Sequence, residues 1–300
     1  MRNGRVGVLL MAYGTPRDRD DIETYYTDIR RGRAPTPELL ADLIRRYEAL
    51  GGTFPLRAIT DAQVEAIRSE LAERTDTDYV VTLGTKHSVP KVEDGVHALA
   101  AQDVDRVVGL VLAPHYSRFS VGEYADRAGK AGAEHGLDVE TVESWHLLPA
   151  YVDFLAAAVR DALQRVPAGS EVVFTAHSLP ERILSTGDPY PQQLHETAEA
   201  VASRLHLETW SVGWQSAGRT PEPWLGPDVL DIVRSCAGGG AAGLVVCAAG
   251  FVADHLEVAY DLDIEATTVA REVGLPFART ASVNADTAVM SALAALIAER

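Results

Sequence analysis

The chain has 300 residues and a formal net charge of −16 at pH 7. That length allows about two domains with ample core, and the acidic balance excludes a general nucleic-acid binder, which carries a basic footprint. No apolar run approaches the ~20 residues that span a bilayer, the first residues lack the apolar core and cleavage site of a signal peptide, and a cytoplasmic location is expected. The two cysteines, Cys236 and Cys247, are too few for a disulfide framework or a four-thiolate cluster, so no iron–sulfur centre is expected.

Residues 5–11 form an apolar Val/Leu run, as in a strand buried on both faces. Helices are predicted over 20–31, 37–50 and 60–71; the first two carry acidic residues early and arginines late, matching the helix dipole. A strand follows at 78–83, a helix at 91–100, a strand at 106–112, a helix from Ser120 to about Glu134, and a weaker, peripheral strand at 138–143. The pattern then starts again: helix 149–163, strand 171–175, helix 192–205, strand 208–212, helix 227–235 and strand 243–247. An acidic helix opens within 250–265, and strand 277–280 and helix 286–298 close the chain. Alternation of this kind predicts an α/β protein of two Rossmann-like, doubly wound parallel sheets. The expected domains are 1–145 and 146–284, with the closing helix, 285–300, packing back on the first.

Three features carry chemistry. Ligands of open α/β sheets bind beyond the carboxyl ends of the strands, and there the sequence places Tyr13, Lys86, His87, His115, His177, Gln215 and, one turn into a helix, Glu257. Arginines cluster at Arg30, Arg31 and Arg33 and again at Arg45 and Arg46, which suits either an anionic ligand or the complementing of helix ends. In the stretch GFVADHLEVAYDLDIE, Asp254, Glu257, Asp261 and Glu265 recur at spacings of three and four, one face of a helix. Like charges so spaced repel; the stripe is either a solvated face or one offset by a cation. Finally, Ala12-Tyr13-x-x-Pro16 after the first strand matches Ala176-His177-x-x-Pro180 after the first strand of the second half. Related halves would bring these turns face to face across an interdomain cleft, with Tyr13 and His177 flanking its occupant.

The stretches MAYGTP, YYTDIRRGR, RYEALGG, LAPHYSRFSVGEY, TAHSLPE, GDPYP, GWQSAGRTPEPWLGPD and GFVADHLEVAYDLDIE run nearly end to end through the chain. In them it resembles the ferrochelatases, most closely the bacterial coproporphyrin ferrochelatases. The resemblance implies a class II chelatase-like fold and a reaction that inserts Fe²⁺, as substrate, into a porphyrin with release of two protons. It casts His177 and Glu257 as the metal-site pair and catalytic residues, and Tyr13 as axial ligand to the product iron. Arg30, Arg46, Tyr47 and Tyr124 then hold propionates or line the pocket, and Trp224 is a candidate wall, as is Trp214. Asp261 and Glu265 continue the carboxylate track outward, a candidate site for a second cation such as Mg²⁺.

Within the family, Tyr13 and the arginine clusters favour coproporphyrin III, with four propionates, over protoporphyrin IX, with two. A transient contact with a coproheme decarboxylase is implied. Phe54 stands where the family often has serine, with Thr53 beside it. Two other readings stay open: a cobalt or nickel chelatase of the same fold, and a non-catalytic tetrapyrrole carrier.

Overall fold

The computed structural model describes residues 4–52, 55–218 and 220–300; Thr53 and Phe54 lie outside them. The described residues fall into two compact units. The first takes residues up to Ala113, Ser120–Ser144 and Asn284–Arg300; the second takes Pro114–Phe119 and Trp145–Val283.

In the first unit, β1 (Arg5–Ala12) is central, with Val8, Leu9, Leu10 and Met11 fully buried, as an apolar run covered on both faces requires. Three helices, α1 (Ile22–Ile29), α2 (Pro37–Ala49) and α3 (Pro55–Ala72), lead to β2 (Asp78–Thr85). Then come α4 (Val92–Ala100), β3 (Arg106–Val111), α5 (Val121–Glu134) and β4 (Val139–Val142). The strands are parallel in the order β2-β1-β3-β4, so the weak fourth strand is an edge.

The second unit begins with α6 (Pro149–Leu163) and β5 (Glu171–His177). A 3₁₀ turn, Glu181–Thr186, precedes α7 (Tyr190–Leu205), followed by β6 (Trp210–Gln215), α8 (Val229–Gly239) and β7 (Leu244–Cys247). One turn of α9 (Leu256–Val258) passes into a π-helix, Ala259–Ala266, and then α10 (Thr267–Glu272). β8 (Phe277–Arg279) ends this unit. Its order, β6-β5-β7-β8, repeats that of the first unit strand for strand, again all parallel. Each unit is therefore wound outward in both directions from its first strand, and each has one switch point, between its first and third strands.

The final helix, α11 (Thr287–Ala298), belongs to the first unit. It packs on α3, where Ser291 donates to Glu70 at 2.8 Å and Gln63 donates to the Asn284 carbonyl at 2.8 Å. Residues 114–119 depart from the expected 1–145 domain: they pack with the second unit through the buried bond of His115 to Thr197 and that of Ser117 to Asp188.

Several boundaries move for local reasons. The first helix begins at Ile22 because the Asp18 carboxylate turns the chain by accepting from the Asp20 and Asp21 amides. It stops at Ile29, and Arg31 follows at φ 57°. Arg30, Arg31 and Arg33 thus lie beyond the helix, where Arg30 and Arg33 each donate to the other's carbonyl. No helix among the described residues is long and apolar enough to cross a membrane.

Candidate metal centre

The second unit assembles its polar groups at the carboxyl ends of β5, β6 and β7. β5 runs two residues past its apolar core, so His177 is its last residue and pairs in register with Gln215, the last of β6. The loop after β7 is drawn tightly against this point. A Cβ on Gly250 would stand 2.3 Å from the Ala176 Cβ and 2.7 Å from its Cα. The Gly250 amide donates to the Thr175 carbonyl at 2.9 Å. Only a residue without a side chain fits there, and its fit carries the following helix toward His177.

His255 caps that helix, its Nδ1 accepting from the Glu257 amide at 3.1 Å. Glu257 lies in the first turn, and its Oε1 stands 3.6 Å from Nε2 of His177. The Nδ1 of His177 faces the Ser178 carbonyl at 2.5 Å. A carbonyl can only accept, so the proton sits on Nδ1 and the Nε2 lone pair is directed at the carboxylate. Burial, the largest influence on His177, pulls its pKa down. Glu257 opposes it, joined by the Ser178 carbonyl and Asp261, and the balance holds the imidazole above its usual value. Both side chains keep about a third of their surface exposed, so the pair is reachable.

Behind it stands a second layer. Tyr190 donates to the His177 carbonyl at 3.1 Å and packs its ring on Trp214. Gln215 accepts from Thr175 at 2.9 Å and donates to the Glu257 carbonyl at 3.4 Å. Ser216 donates a short bond to the Asp261 carboxylate, which is buried. These supports hold the main chain that carries the pair and orient the Asp261 carboxylate.

The acidic stripe is not the single α-helical face its spacing suggests. Asp254 precedes the helix and binds Arg279 at 3.1 Å, while Asp263 grips the same guanidinium through two oxygens at 2.6 and 2.8 Å. From Ala259 the chain winds as a π-helix, whose i→i+5 bonding widens the turn, a feature frequent at functional sites. Asp261 and Glu265 lie in this widened stretch, with Glu257 in the α-turn just before it, and Asp261 is turned inward onto Ser216 and Gln215. Trp224 lies beside the His177 turn: residues 223–225 run antiparallel to 179–181, with Leu225 donating to the Leu179 carbonyl and Glu181 to that of Pro223. Trp214, by contrast, is a buried core residue.

In the first unit, Tyr13 follows β1 and is 42% exposed, its ring edge-on to His87 at 4.7 Å. His87 bonds Asp28 at 2.8 Å, and Lys91 bonds the other Asp28 oxygen at 2.8 Å. Burial lowers the His87 pKa to about 4 against the pull of Asp28, so this imidazole is neutral at working pH. Lys86 pairs with Glu123 and lies over the Tyr124 ring. Tyr124 and Tyr47 are buried; Arg46 contacts Asp42 at 3.3 Å, and Arg30 lies over Tyr26. Sequence reasoning assigned no role to Asp28, Ser216, His255, Asp188 or Tyr190. Asp188 accepts from Ser117 at 3.0 Å and from the Arg118 amide at 2.9 Å, beside a pocket of about 390 Å³. All five lie in motifs visible in the sequence, Asp188 and Tyr190 together in GDPYP, but nothing local marked the bonds they make.

Two parallel sheets of identical order define a two-unit Rossmann-like α/β protein, with an imidazole–carboxylate pair at the switch point of one sheet. The solved SirB of Bacillus subtilis with Fe³⁺ has this fold, at TM-score 0.62 and 9% identity over 98% of this chain and 95% of that one. The ferrochelatase family profile matches residues 5–300, and the chain belongs to that family. A protein of Halalkalibacterium halodurans named coproporphyrin III ferrochelatase is 44% identical, covering 100% of this chain and 98% of the relative. One of the same name from Geobacillus thermodenitrificans is 44% identical over 100% and 97%.

Proposed function

We propose that this protein inserts Fe²⁺ into coproporphyrin III, giving the iron porphyrin and two protons. The observation that carries the reading is the 3.6 Å approach of His177 Nε2 to Glu257 Oε1 at the switch point between β5 and β7. Bonds of about 2.1 Å from each atom reach a common ion. Imidazole and carboxylate together suit ferrous iron and leave its other positions open to pyrrole nitrogens.

The chemistry follows from the hydrogen bonds. With its proton held on Nδ1 by Ser178, His177 has a single lone pair, on Nε2, which holds Fe²⁺ and, once the ion has passed to the pyrrole nitrogens, takes up one pyrrole proton, the other leaving to solvent. Glu257 stabilises the imidazolium formed and steers the cation. Asp261 and Glu265 extend the negative track, where a second cation such as Mg²⁺ is proposed to sit. Tyr13, an exposed phenol, is assigned as axial ligand to the product iron. Arg30 and Arg46 are assigned to propionates, as charge-assisted contacts, and Tyr47, Tyr124 and Trp224 to the tetrapyrrole rings. No resident cofactor enters this scheme. Free, buried Cys236 and Cys247 fit a reducing, cytoplasmic setting, and the product is proposed to pass to a coproheme decarboxylase through a transient contact.

Purified protein given Fe²⁺ and coproporphyrin III under anaerobic conditions tests this. Turnover exceeding that on protoporphyrin IX is expected. Tight porphyrin binding with no turnover would make the protein a carrier, and preference for cobalt or nickel would reassign the metal.

A further inference from the structure

A second cluster of metal-ligating side chains lies in the first unit, at the other end of its sheet. His97, Glu134 and His135 are exposed, and one ligand atom from each lies within 4.8 Å of the other two. Nε2 of His97 stands 3.6 Å from Oε2 of Glu134, and the two imidazole rings are 5.1 Å apart, crossed at 72°. We propose that these three residues form a binding site for a borderline divalent transition-metal ion of the Zn²⁺ class, separate from the His177–Glu257 pair.

Three observations converge on it. The donor set is two imidazoles and a carboxylate, the mix that suits Zn²⁺, Ni²⁺ or Cu²⁺ and disfavours Mg²⁺ and Ca²⁺. In a tetrahedral shell with bonds of about 2.1 Å, neighbouring donors stand about 3.4 Å apart; His97 and Glu134 stand 3.6 Å apart, and His135 lies within 4.8 Å of both. The scaffold is regular: His97 lies in the last turn of α4 and Glu134 ends α5. His135 is held as the cap of α5, its amide donating to the Gly132 carbonyl at 2.9 Å. The two helices pack side by side and both end here, so their terminal carbonyls present partial negative charge to a cation.

The position separates this site from the chemistry. α4 and α5 each follow a strand and run back against it, so their C-terminal ends lie at the amino edge of the parallel sheet. Tyr13, Lys86 and His87 lie at its carboxyl edge. An ion held by His97, Glu134 and His135 ties the ends of two neighbouring helices together, with water completing its shell. Its effect is on the stability of this unit, because a ligand bound only by the folded state stabilises that state.

Zn²⁺ titration of the porphyrin-free His177→Ala protein, by calorimetry and thermal melting, tests the proposal with the substrate-metal pair disabled. One equivalent of Zn²⁺ and a raised melting temperature are expected. Adding His97→Ala or Glu134→Gln should weaken that binding at least about tenfold and abolish the thermal shift, with circular dichroism unchanged. His97→Ala alone should leave iron insertion intact. The proposal falls if His177→Ala binds no Zn²⁺, or if the double variants keep the same equivalent at the same affinity.

Discussion

His177 and Glu257 are 80 residues apart in sequence, yet Nε2 of one lies 3.6 Å from Oε1 of the other. They reach this approach from two different strands, β5 and β7, which pair in register on either side of the switch point. The carboxylate holds the imidazole pKa above its usual value, against burial. A raised pKa keeps the proton on until higher pH, so the free base needed for metal or pyrrole protons appears only above it. The acid limb of kcat/KM for Fe²⁺ should therefore lie above that of an ordinary imidazole. In Glu257→Gln the charge is gone, and the His177 titration followed by NMR in the metal-free protein should move to lower pH. An unmoved midpoint would contradict the pairing.

Gly250 is predicted to be intolerant of even one methyl group. In Gly250→Ala the new Cβ meets the Ala176 backbone at 2.7 Å, which no side-chain rotation relieves. Overpacking of this kind costs about 1–3 kcal/mol. Because the same loop delivers Glu257, iron insertion should fall with stability. Denaturant unfolding and insertion rate measured together check this, and a variant normal in both would refute the close approach.

His115 predicts an acid sensitivity of the fold. It is buried, bonds Thr197 through Nε2 at 2.9 Å, and its Nδ1 has no partner. Burial, aided by His146, lowers its pKa to about 3. The unfolded chain then binds the proton first, so stability is full above the ordinary histidine range and declines as pH falls toward about 3. At pH ~5 the loss from this one group is about 2 kcal/mol. His115→Gln should be less stable at neutral pH yet show a shallower decline on acidification. An equal slope would contradict the assignment.

Tyr13→Phe keeps the ring that packs on His87 but removes the phenol oxygen. The fold should be unaffected and the absorption spectrum of the iron-porphyrin product should change, as loss of an axial oxygen ligand demands. An identical spectrum would remove Tyr13 from the metal's coordination shell.

The periodicity of the chain revealed the strands and most helices because buried parallel strands are continuous apolar runs; β1 and β7 are the clearest. What it hid was polar. β5 and β6 each end in residues that read as loop, His177 and Gln215, although ladder pairing continues through both. The spacing of Glu257, Asp261 and Glu265 fits an α-helix, and nothing local announces the π-helix; Asp261 is drawn inward by Ser216, 45 residues away. Residues 114–119 are assigned to the second unit by partners such as Thr197, 82 positions from His115. His177 and Glu257 stood out by their place beyond strand ends and by family resemblance, and the structure brings them within 3.6 Å, whereas the groups behind them were not marked.

The most direct test is single-turnover insertion of Fe²⁺ into coproporphyrin III by the wild-type protein and by His177→Ala. Removing the imidazole that holds the metal or, once the metal has left it, one pyrrole proton should slow insertion by about 10²–10⁴-fold, with porphyrin affinity retained. A His177→Ala protein that inserts iron at the wild-type rate would show that the imidazole beside Glu257 is not where the metal enters.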